Sequence, residues 1–175
     1  MAENRLIYTN FSRKLAQSSL LVALALSTNY LLISVPNVKL MDSIVFVSSY
    51  QMGLAWGVLA ALLIWLVYGT INPLGANLLT LLVVASGELV YVFAARIARS
   101  FTFANPLLFG LLGGISTFIY DLYTNALTGT LFLGSLWLGI MTMNFPLPMG
   151  IIHEVSNIVF FSTAVPILIK LMSRR

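Results

Sequence analysis

Long apolar runs separated by short polar turns make up most of this chain. Residues 15–35 form the first run and residues 150–172 the last, and in both runs apolar residues outnumber the short groups of polar ones. A run of about twenty apolar residues crosses a bilayer core of about 30 Å as a helix. The pattern predicts an all-α integral membrane protein.

The segment 36–75 determines how many helices there are. Polar turns stand at both of its ends, and the apolar run 43–69 between them contains Gly53 and Gly57. Because glycine relaxes the helical constraint, this run could form one long helix or two short helices that meet near Gly53.

The distribution of charge favours two short helices. A turn near Gly53 places eight of the nine Lys and Arg residues on one side of the membrane and leaves Lys39 on the other, and the positive-inside rule makes the basic side cytoplasmic. The unbroken alternative needs a helix near 131–143 and leaves Arg96 and Arg99 outside. We therefore expect a single domain, residues 1–175, that is a compact bundle of six transmembrane helices with both termini cytoplasmic. The expected helices are 15–35, 43–53, 55–69, 78–98, 107–125 and 150–172, and 126–148 is an outer connection with a short apolar lid or re-entrant helix.

Composition supports membrane insertion and excludes several functions. Hydrophobic residues make up 59% of the chain and charged residues 8%, whereas a soluble domain has about 25% charged residues. The absence of cysteine excludes disulfides and thiolate metal or redox chemistry. The basic residues stand at helix ends and form no groove-sized patch, so nucleic acid is not an expected partner. Walker A, nucleophile-elbow and Cys/His cluster motifs are missing, and no cofactor or metal is expected.

Four acidic residues fall within or at the edges of the apolar runs, namely Asp42, Glu88, Asp121 and Glu154. Burying a charge in a membrane segment costs several kcal/mol, so each is a candidate functional group. Glu88 lies midway along its predicted helix, where it could bind a ligand, carry a proton or be a satisfied buried carboxylate. Asp121 is expected near the outer end of its helix, as either a functional or an interfacial residue.

The last helix begins with the sequence His153-Glu154-Val-Ser-Asn157. A zinc protease motif needs a second histidine where Asn157 stands, and His153 is the only histidine in the chain. His153 and Asn157 share a helix face, and they suit hydrogen bonds to a heteroaromatic or amide-bearing ligand or to a neighbouring helix. Among the aromatic residues, three are placed to contribute to a site: Trp65, Tyr68 and Tyr91.

Small residues recur at every fourth position of the first helix, at Ser19, Ala23 and Ser27. Small residues at this spacing let a second helix approach closely, either within this protein or in a partner.

Together these features resemble the substrate-binding S components of energy-coupling factor (ECF) transporters, the vitamin-uptake systems of prokaryotes. The resemblance lies in the chain length, the six-helix layout, the stripe on helix one, the following turn from Pro36 to Asp42 and the Gly53-Leu-Ala-Trp-Gly57 segment. The resemblance is one of helix arrangement, and it extends over nearly the whole chain. The family usually has Ala-x-x-x-Ala on helix one, where this chain has Ala23-x-x-x-Ser27.

The resemblance implies a multi-pass protein of the prokaryotic cell membrane that is not an enzyme. Such a protein captures a vitamin-like molecule from outside, then docks through helix one on a membrane coupling subunit driven by two cytoplasmic ATPases. The implied site draws on Asn37, Asp42, Tyr68, Asn72, Glu88, Asp121, Asn125, His153 and Asn157. The Glu, His, Asn and aromatic residues of this set suit a nitrogen heterocycle. We expect it to be neutral or cationic, because four acids face only Lys39 on the outer side.

Two other classes remain open at this point. One is a small ion-coupled carrier that uses Glu88 as its proton site. The other is an intramembrane enzyme with His153 and Glu154 as acid and base, which lacks any further catalytic partner in the sequence.

Overall fold

The chain forms a bundle of helices. The computed structural model describes residues 2–71, 77–101, 105–142 and 148–173, apart from the side chains of 2–9 and 148. Within these ranges every regular element is a helix, which confirms the all-α prediction. The helices are α1 (Ala2–Leu31), α2 (Met41–Met52), α3 (Leu54–Ile71), α4 (Leu78–Gly87), α5 (Leu89–Ala98), α6 (Pro106–Leu133), α7 (Leu136–Thr142) and α8 (Pro148–Ser173).

Four helical segments of the described chain are long and apolar enough to cross a membrane. This supports the prediction of a membrane protein. The segments are Leu54–Ile71, Leu78–Ala98, Pro106–Leu133 and Met149–Ser173.

A sharp turn at Gly53 separates α2 from α3. Gly53 has a φ of 106°, a conformation that residues with a Cβ rarely adopt. The two helices pack so closely that Gly57 has no room for a side chain. A Cβ there would lie 2.6 Å from the Cβ of Ser49. With 12 residues, α2 is about 18 Å long, which is shorter than the bilayer core.

A local irregularity at Glu88 separates α4 from α5. Hydrogen bonds still cross it, since the Glu88 N–H donates to the Val84 carbonyl and the Val92 N–H donates to the Glu88 carbonyl. The two helices therefore continue one another, and Glu88 lies at their junction.

Two helices differ in extent from the predicted ones. α1 begins at Ala2 and ends at Leu31, where 15–35 was expected. α6 continues two turns past the expected end at residue 125, because 126–133 contains no proline and the helix ends only at Gly134, whose φ of 66° is left-handed. Asp121 consequently lies 12 residues before the end of α6, in its interior and not near its outer end.

Glycines on α6 allow α8 to lie against it. A Cβ on Gly113 would lie 2.5 Å from Phe161 Cγ, and one on Gly110 would lie 3.3 Å from the Ile158 carbonyl oxygen. Because a larger residue would push the helices apart, these glycines set the distance between α6 and α8.

Hydrogen bonds define the two ends of the bundle. At one end the Lys14 ammonium donates to the Met52 carbonyl and the Gln51 amide donates to the Ile169 carbonyl. At the other end the Asn37 amide donates to the Met149 carbonyl. The first of these is called the basic end below, because Arg13, Lys14, Arg96, Arg99 and Lys170 lie there.

We expect Gly113→Val to destabilise the protein by about 1–3 kcal/mol, because its side chain must displace Phe161. Thermal or denaturant unfolding in detergent measures this change. The control is Ile115→Val on the exposed face of the same helix, for which we expect a change within about 0.5 kcal/mol. Equal stability of the two variants would contradict close α6–α8 packing at Gly113.

Candidate functional site

His153 lies between two aspartates from different helices. Its Nε2 is 2.9 Å from Asp42 Oδ2, and its Nδ1 is 2.9 Å and 3.1 Å from the two carboxylate oxygens of Asp121. All three side chains are buried. Ionised carboxylates accept hydrogen bonds and do not donate them, so an imidazole protonated on both nitrogens matches this arrangement.

His153 and the two aspartates each lie on the inward-facing side of their helix. Asp42 is in the first turn of α2, where a negative charge interacts favourably with the helix dipole. Asp121 is in the interior of α6, and His153 is in the second turn of α8. The contact between α6 and α8 thus places Asp121 beside His153.

A second layer of hydrogen bonds extends from Asp42. The Asn157 amide donates to Asp42 Oδ2 at 2.7 Å and to Thr117 Oγ1 at 2.8 Å. The Tyr91 hydroxyl is 3.0 Å from Thr117 Oγ1 and 3.4 Å from Asp42 Oδ2. With His153, these residues connect α2, α5, α6 and α8, and they are called the polar network below.

Glu88 and Trp65 form a neighbouring buried pair. The Trp65 indole N–H donates to Glu88 Oε1 at 2.9 Å. Glu88 Oε2 is buried without a partner at hydrogen-bond distance among the described residues, although the Glu88 carboxyl group is close enough to Asp42 for the two to interact. The Lys39 ammonium lies 5.2 Å from the centre of the Trp65 ring, which is within range of a cation–π interaction.

Two adjoining chambers lie beside the polar network, at the end of the bundle opposite the basic end. The first, of about 400 Å³, is called the polar chamber, and residues that line it include Lys39, Tyr120, Asp121, Asn125 and His153. The second, of about 380 Å³, is called the apolar chamber, and residues that line it include Asn29, Pro36, Val38 and Tyr68. Both chambers share Asn37, Lys39, Trp65, Thr80 and Val84. Each chamber has the volume of a typical small-molecule site.

The predicted site residues fall into three groups. The chamber walls include Asn37, Trp65, Tyr68, Asp121, Asn125 and His153. The buried layer behind these walls contains Asp42, Glu88, Tyr91 and Asn157. Asn72 lies outside the described residues.

Several site residues were missed by sequence analysis. Thr117 is central to the polar network, and Thr80, Thr124 and Thr128 line the polar chamber. A signal for three of them is visible in the sequence, because polar residues recur along one face of α6 at helical spacing. This buried polar face contains Ser116, Thr117, Tyr120, Asp121, Thr124, Asn125 and Thr128.

We expect Asp42→Ala to destabilise the protein by about 3–5 kcal/mol, because it leaves the buried His153, Asn157 and Tyr91 donors without their shared acceptor. Unfolding in detergent measures this loss. A suitable control is Glu154→Gln, which follows His153 but is only partly buried, and we expect it to change stability by less than about 0.5 kcal/mol. An Asp42→Ala variant as stable as this control would show that the network does not hold the helices together.

Comparison with known proteins gives no relative for this chain. It matches no protein-family model, no curated protein and no solved structure.

Proposed function

We propose that this chain is the membrane-embedded substrate-binding subunit of an ECF-type ABC importer. In this role it captures a vitamin or related small micronutrient outside the cell and delivers it inward when docked on an ATPase-driven coupling module. One observation carries the proposal. A polar chamber of about 400 Å³ lies beside a buried hydrogen-bonded network, inside a helical bundle that is otherwise apolar. Buried polar groups are costly in a membrane protein and mark substrate sites.

The positions of the basic residues support an orientation in the membrane. Arg13, Lys14, Arg96, Arg99 and Lys170 lie at the end away from the chambers, which favours the cytoplasm for that end. Lys39 is at the chamber end. In this proposal α1 and the short α2 also cross the membrane, which gives six crossings with both termini inside and the chambers facing out.

The exposed face of α1 supports docking on a membrane coupling subunit with its two ATPases. α1 buries Ser18, Leu21, Ala25 and Asn29 against the bundle. The other side of the helix exposes Ser19, Ala23 and Ser27, so the small-residue stripe is left for a second helix to approach.

The polar network suits binding better than catalysis. Both ring nitrogens of His153 already contact carboxylate oxygens, and Glu154 is partly exposed. A general acid or base must reach the substrate proton that it transfers. We therefore propose a binding protein and not an enzyme.

One observation favours an alternative, a small ion-coupled carrier. Glu88 is fully buried, and its Oε2 lacks a hydrogen-bond partner in the described part of the chain, so a carried proton could reside there.

For the ECF-type function, we expect Ala23→Leu to leave substrate binding unchanged and to abolish uptake by cells, because its side chain projects from the proposed docking face. The same variant should lose a coupling subunit and ATPase pair that copurify with the wild-type protein. Ala55→Leu is the matched control, an exposed alanine on α3, and it should retain both. If Ala23→Leu transports normally, α1 is not the docking helix.

Reconstitution in liposomes separates the importer from the carrier. Under our proposal the purified protein binds substrate but does not accumulate it, with or without a proton gradient. Uptake by the protein alone that requires a proton gradient and is lost in Glu88→Gln would establish the ion-coupled carrier instead.

A further inference from the structure

Lys39 is a chamber residue whose ammonium group interacts with Asp42 and Glu88 only from beyond ion-pair distance. In the described part of the chain no carboxylate oxygen lies within ion-pair distance of its ammonium group, and the two ion-pair contacts there both belong to His153. Lys39 lies instead over the ring of Trp65, at the boundary shared by the two chambers.

None of the described neighbouring acids forms an ion pair with Lys39. Both carboxylate oxygens of Asp121 face His153. Asp42 and Glu88 are buried and are not among the residues that line either chamber. A count of acids along the sequence favours a neutral or cationic ligand, but in the structure these negative charges are internally bonded or set back from the chamber surface.

Asn125 supplies a second unused donor at the same chamber. This residue is 3% exposed and lines the polar chamber, and its Nδ2 has no hydrogen-bond acceptor in the described residues. The neighbouring Thr124 and Thr128 hydroxyls donate to carbonyls of their own helix. Leaving a buried donor unpaired costs about 1–3 kcal/mol, and a ligand acceptor would remove this cost.

We propose, resting on the binding function proposed above, that the substrate is a small organic carboxylate. Its negative group binds near Lys39, with the Asn125 amide as a further donor on the polar-chamber side. Its apolar remainder occupies the apolar chamber, where Pro36, Val38 and Tyr68 form part of the wall.

Trp65 allows the charge preference of the chambers to be measured without knowing the substrate. In a Trp56→Phe/Trp137→Phe variant it is the only remaining tryptophan, since the chain has three, and it lines both chambers. We expect iodide to quench its fluorescence at least about twofold more strongly than caesium, because the Lys39 ammonium over the ring attracts anions. Lys39→Gln should remove this preference, whereas Lys14→Gln at the basic end, with the same change in charge, should leave it intact. Equal or stronger quenching by caesium, or an unchanged preference in Lys39→Gln, would overturn the proposal.

Matched pairs of probes test the ligand class directly. Thermal unfolding of the wild-type protein is measured with benzoate and benzamide, nicotinate and nicotinamide, and hexanoate and hexanamide at millimolar concentration. We expect at least one carboxylate to raise the midpoint more than its amide does, and Lys39→Gln to abolish the difference. Stabilisation by amides alone, or equally by both, would reject the carboxylate and leave the binding function standing. Stabilisation by no probe would count against both the carboxylate and the small-molecule site.

Discussion

The double contact of His153 with Asp42 and Asp121 is the interaction on which the structure depends. The three residues come from α8, α2 and α6, so no local preference brings them together. Their side chains are fully removed from solvent or nearly so. A buried charge is tolerated when it is paired and its remaining hydrogen-bonding groups are satisfied, and Asn157 and Tyr91 supply such partners to Asp42.

This interaction also explains why the chambers lie where they do. His153 and Asp121 form part of the polar chamber wall, and the glycines of α6 let α8 come close enough for the two to meet. The rest of the network fixes these side chains from behind. A ligand would thus meet polar groups that are already oriented, which reduces the entropy lost on binding.

The sequence is informative about features that depend on composition and local pattern. Apolar runs of membrane length predict helices in lipid, and an acid such as Glu88 stands out because its burial is costly. The partners of that acid are less predictable. Trp65 is separated from Glu88 by 23 residues, and His153 from Asp42 by 111, so these contacts exist only once the helices pack.

Residues with ordinary local roles were hardest to recognise. Threonines in helices commonly bond to their own backbone, and Thr117 does so through the Gly113 carbonyl while also bonding Tyr91 and Asn157. Lys39 was expected only as an isolated outer charge, because its position over Trp65 arises from the fold of the segment before α2. The end of α6 was misplaced for a related reason: an apolar amphipathic segment is compatible with either a lid or a continued helix.

The central claim is that the chambers hold a substrate, and native mass spectrometry of the purified protein tests it most directly. Wild-type protein from cells grown in rich medium should carry one small molecule per chain. A Thr80→Phe variant, altered at a residue that lines both chambers, should carry none while remaining folded. An adduct that persists in Thr80→Phe, or a wild-type protein without any bound molecule, would contradict the account.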